Sequence, residues 1–76
     1  MNKFKRVLAV ATLETKWDSF CWVFLWTEKG YSRSQLGNSR ESFVAFDDFA
    51  DLSNCLDWFS DQGWRIQKSK HFHEAQ

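Results

Sequence analysis

SFVAFDDFADLSNCLDWFSDQGWRI, residues 42–66, is the stretch whose reading decides the fold, because its hydrophobic period changes part-way through. The run 42–46 is β-branched and aromatic, which predicts a short strand. From there Phe49, Leu52, Leu56 and Phe59 recur at spacings of three and four, one stripe of a helix. Asp47, Asp48 and Asp51 crowd its start, where carboxylates cap free N–H groups and meet the positive end of the dipole. Gly63 follows the last periodic residue and suits a left-handed position just past a helix. The helix is expected at 49–61. Residues 64–72, WRIQKSKHF, then alternate as a final strand.

Upstream, 3–13 (KFKRVLAVATL) has small and β-branched apolar residues and no helix cap, which predicts a first strand. Residues 14–18 read as a polar turn. Residues 19–27, SFCWVFLWT, predict a second strand. Residues 28–41 hold Gly30, Gly37-Asn38 and three serines and read as a loop, with a tight turn at Gly37-Asn38. The expected order is β-β-β-α-β. The fold class is α+β: a small antiparallel sheet with one helix across one face, in a single domain over 1–76 whose tail, 73–76, frays.

Aromatic content is the unusual figure: five Trp, eight Phe and one Tyr in 76 residues. In the second strand Phe20, Trp22, Phe24 and Trp26 share one side, and Cys21, Val23 and Leu25 the other. One helix covers one sheet face. The smaller row would pack neatly beneath Phe49, Leu52 and Phe59, leaving the aromatic row as a contact surface for a second copy or a foreign protein. Two other arrangements together have equal standing on the residues alone: the N-terminal segment or the long loop folds over this face, or the aromatics are the core and the small row lies outside.

Ten Lys+Arg balance ten Asp+Glu, which excludes bulk attraction to nucleic acid or membrane as the main role. The distribution is uneven. Between Glu41 and Asp61 lie six acids and no Lys or Arg, while Lys3, Lys5, Arg6, Arg65, Lys68 and Lys70 mark the outer strands. Asp57 and Asp61 fall on the outward side of the helix, where they would meet a basic surface of a partner. An alternative role is single-stranded nucleic-acid binding. The aromatics would stack bases, and Lys5, Arg6, Lys68 and Lys70, helped by Arg33 and Arg40, would track phosphates.

Catalytic motifs do not emerge. The glycines lack phosphate-loop spacing, there is no GxSxG elbow, and no nucleophile–base pair is local, so the chain is read as non-enzymatic. Cys21, Cys55, His71 and His73 make up a two-cysteine, two-histidine inventory without zinc-finger spacing. No metal or cofactor is expected. The cysteines are read as reduced, small hydrophobes. The apolar run 7–11 is too short for a signal sequence, and no run is long enough to span a bilayer, so a cytoplasmic protein is expected.

Two stretches carry a resemblance. Lys3-Phe4 leading into a strand that ends Ala11-Thr12-Leu13 resembles the opening strand of small phage-encoded anti-CRISPR proteins acting on type I systems. DFADLSNCLDWF, 48–59, is similar to the strand-to-helix segment of one such protein, with Asp48-Phe49 before the helix and Trp58-Phe59 further on. Gly63-Trp64-Arg65-Ile66 is similar to the ending of other small phage inhibitors, including one that blocks host RNA polymerase. The middle loop and last strand depart from the anti-CRISPR pattern. The resemblance implies a stoichiometric inhibitor that docks on a host protein or nucleoprotein complex without catalysis. The matched positions are structural, so it transfers no site residue.

Overall fold

The computed structural model describes residues 5–37 and 42–74. Five strands form one antiparallel sheet: β1 (Lys5–Glu14), β2 (Ser19–Thr27), β3 (Gly30–Leu36), β4 (Phe43–Phe46) and β5 (Arg65–Lys68), in the order β4-β3-β2-β1-β5. α1 (Phe49–Asp61) follows β4, and the short α2 (Lys70–Glu74) follows β5. The α+β class and the antiparallel sheet are as expected from the sequence; the order gains a strand and a helix.

The bounds of α1 are those its stripe predicts, and both ends are capped. The Asp51 N–H donates to Asp48 Oδ1 at 2.9 Å. At the other end the Trp64 N–H donates to the Phe59 carbonyl at 3.0 Å and the Gly63 N–H to the Ser60 carbonyl at 3.1 Å. Gly63 has φ +96°, a left-handed conformation that glycine adopts freely. The Trp64 and Phe59 rings, 4.9 Å apart, complete the hydrophobic contact of a Schellman cap.

Residues 28–41 are not all loop, since β3 occupies Gly30–Leu36. Tyr31, Arg33 and Gln35 form its inward row, and their polar ends disguise a strand whose stems are packed. Asn38, the second half of the expected tight turn, lies outside the described residues. The final segment is also corrected. β5 stops at Lys68 because Ser69 leaves the ladder: its N–H donates to the Leu8 carbonyl at 2.9 Å, and its hydroxyl reaches the Val7 and Leu8 carbonyls. The same hydroxyl accepts the His71 N–H at 3.1 Å, which starts α2. His73 and Glu74, expected to fray, belong to α2.

The larger correction concerns which face the helix covers. α1 lies on the row of Trp22, Phe24 and Trp26, not on Cys21-Val23-Leu25. Phe24 is 0% exposed, with Phe59 edge-on at 5.6 Å and Phe46 stacked at 6.2 Å. The physical reason sits in β1. Ala9 pairs with Phe24 and Ala11 with Trp22, so small residues beside large ones leave room on this side for side chains brought by the helices. Leu8, Ala9, Ala11, Phe24, Leu52, Leu56, Phe59 and Phe72 form the core. A bulge between Val7 and Ala9 turns both Leu8 and Ala9 inward. α2 joins the same side through Phe72, whose ring is 5.1 Å from Phe49.

Candidate functional site

The aromatic row expected to meet a partner is largely structural. Phe24 is enclosed. Trp22 is half-buried, edge-on to Phe59 at 6.3 Å. Trp26 is half-buried with the Arg6 guanidinium 5.7 Å from its ring. Phe20, the most open of the four, leans on Trp64 at 6.4 Å. This corrects the exposure expected of Trp22, Phe24 and Trp26, which the helix side covers in whole or in part, while Phe20 is exposed as expected. The ring that covers Trp22 and Phe24 is Phe59 of α1.

The outward side of α1 is arranged differently. Asp57 and Asp61 are exposed there, as the stripe requires. Between them Trp58 is 56% exposed, its ring centre 5.4 Å from that of Phe59. Asn54, one turn earlier, is exposed on the same side. Among the described residues no carboxylate from Asp47 to Asp61 forms an ion pair. The acids are therefore free to act at a distance, and a large amphipathic ring stands among them. The sequence shows Trp58 off the stripe, which is the signal for its exposure.

Arg33, on the inward row of β3, is a basic group on the helix side of the sheet. Its guanidinium lies 4.4 Å from the Trp22 ring and 5.2 Å from Phe59, with a buried Nε that has no hydrogen-bond partner. Cys55 sits nearby. Burial pushes its thiol up from the ordinary cysteine value, and Arg33 opposes that rise. Cys21 and Cys55 are free thiols on opposite sides of the sheet. Among the described residues, no three His, Cys, Asp or Glu side chains gather as metal ligands, and no helix is long and apolar enough to cross a membrane. His71 Nδ1 lies 3.0 Å from Glu74 Oε1, and this hydrogen bond holds the Glu74 carboxyl below its usual range.

The second surface is the sheet face opposite the helices, which follows the other arrangement the sequence left open, with the aromatics inside and the small row outside. Cys21, Val23 and Leu25 lie there, flanked by Val7, Val10, Leu36 and Phe43. No described element covers it. Phe43 is 64% and Leu36 54% exposed. An open depression of about 590 Å³ lies at the end of the sheet, lined from this face by Cys21, Leu36 and Arg65 and from the helix side by Leu13, Phe20 and Gly63. The exposed apolar residues Phe43 and Leu36 were the available signal.

Comparison with known proteins finds no matching family, no matching curated protein and no matching solved structure.

Proposed function

We propose that this chain is a small, stoichiometric protein-binding inhibitor that docks the outer side of α1 on a basic surface of a host nucleoprotein complex in the cytoplasm. The observation that carries the reading is Trp58, exposed between the unpaired carboxylates Asp57 and Asp61. Tryptophan is the residue type most often found at the centre of binding energy. Unpaired acids around it attract a basic partner over distance and speed the encounter. Basic protein surfaces of that kind commonly hold nucleic acid, so an acidic helix competes for them. The resemblance to phage inhibitors points to the same class of action.

The test uses capture from nuclease-treated host lysate, followed by kinetics on the captured partner. Changing Asp57→Lys together with Asp61→Lys slows association by about tenfold and leaves melting almost unmoved, since exposed charges contribute little to stability. The wild-type on-rate falls as salt rises, because such charges are screened within roughly 8–10 Å at physiological ionic strength. Trp58→Ala speeds dissociation. If charge reversal strengthens binding and the ligand is single-stranded RNA or DNA, the chain reads phosphates instead and the inhibitor reading is abandoned.

A further inference from the structure

We infer that the open sheet face is a self-association surface, and that two copies pack sheet against sheet about a two-fold axis through Val23. This surface is independent of the helix surface above. The register supplies the evidence. Phe43, Ser34, Val23, Val10 and Gln67 form one continuous row across all five strands, β4 to β5. Val7, Leu25, Ser32 and Ala45 make the row on one side of it, and Arg65, Thr12, Cys21 and Leu36 the row on the other. The next rows out are polar, Lys5 with Thr27 at one end and Glu14 with Ser19 at the other. The apolar centre is thus made by Val7, Val10, Cys21, Val23 and Leu25 of β1 and β2, and mostly polar residues surround it, the anatomy of an interface.

The rim selects the axis. Lys5 and Glu14 stand at equal distances, two rows each, on either side of the Val10–Val23 row. An axis lying along that row reverses the strands of the second copy and keeps β1 over β1. The end that carries Lys5 then meets the end that carries the second copy's Glu14, twice. An axis along the strands brings neither charge to an opposite one. Self-complementarity of this kind is what a two-fold interface requires.

Size and edges agree. At about 3.4 Å per residue and about 4.8 Å between strands, the five strands cover roughly 550 Å² on each face. Two such faces together remove about 1,100 Å² from water, above the roughly 1,000 Å² that marks a specific interface. Pairing by edges is disfavoured, because β4 and β5 are each four residues long and β5 carries Arg65 and Lys68. Two sheets packed aligned, about 10 Å apart, would form a sandwich with the helices outermost.

Sedimentation equilibrium of the full chain tests this. The wild type is expected to dimerise with rising concentration. Val23→Asp should be monomeric with an unchanged helical circular-dichroism signal. Lys5→Glu and Glu14→Lys should each weaken the dimer by about tenfold, as facing charges become like-signed. The double exchange Lys5→Glu with Glu14→Lys should restore it. Should Val23→Asp unfold, the charge exchange decides alone. A wild type that stays monomeric, a dimer that survives Val23→Asp, or an exchange that fails to restore association overturns the inference. So does a monomer whose Val23 face takes up a foreign protein.

Discussion

Replacing Phe24 by alanine removes a ring that touches both Phe59 and Phe46, and the expected cost is about 3–5 kcal/mol. For a domain this small that is most of the total stability. Its neighbour Val23 faces the other way, and Val23→Ala should cost the isolated chain far less. Denaturant melts of the pair at low protein concentration check which face is core; equal losses would contradict the inward placement of Phe24. Cys55 gives a second test at this scale. Its folded value lies above the unfolded one, so its contribution to folding is complete below the unfolded value and is lost as pH rises through the folded value. The thiolate is the species that alkylates. The pH midpoint of Cys55 alkylation should therefore lie higher in the native chain than in denaturant. Recording the midpoint rather than the rate separates this shift from simple shielding; a lower native midpoint would show that Arg33 outweighs burial.

Among the elements, α1 is tied down at both ends, and each end can be tested. Asp48→Ala removes the acceptor for the Asp51 N–H and should cost about 1 kcal/mol, read from thermal melts. Asp48→Asn should recover most of it; failure to recover would point to the dipole rather than the hydrogen bond. α1 was legible in the sequence because Phe49, Leu52, Leu56 and Phe59 mark one stripe and Gly63 marks its end. β3 was not, because Arg33 and Gln35 bury their stems while Ser32 and Ser34 face the other way, leaving no apolar alternation to read. Which face α1 covers was readable only by pairing strands: Ala9 and Ala11 mean little until the register sets them beside Phe24 and Trp22. Register itself depends on the bulge at Leu8, which reverses the inside–outside sense of β1 upstream of it. Asp57 and Asp61 fell where the stripe put them, since that inference needs only one element.

At the scale of the whole molecule, the two sides of the sheet have separate assignments. The helix side supplies the core and, on its outer surface, the acids around Trp58. The other side is apolar along β1 and β2 and carries Lys5 at one end and Glu14 at the other. A surface change on one side should leave the other untouched, so Asp57→Lys with Asp61→Lys should not alter the sedimentation of the chain, and Val23→Asp should not alter capture by α1. The sheet order β4-β3-β2-β1-β5 carries a further consequence for how the protein is made. Strands β1 to β4 are antiparallel neighbours in chain order and leave the ribosome first, at about 5–20 residues per second. Trp22 and Phe24 are then translated well before Phe59, the side chain that will shelter them, and the free edge of β1 waits for β5. The nascent chain therefore passes through an interval with its largest rings wet and one inner strand unpaired. Any demand this protein places on chaperones should be concentrated there, and should end when the last dozen or so residues emerge.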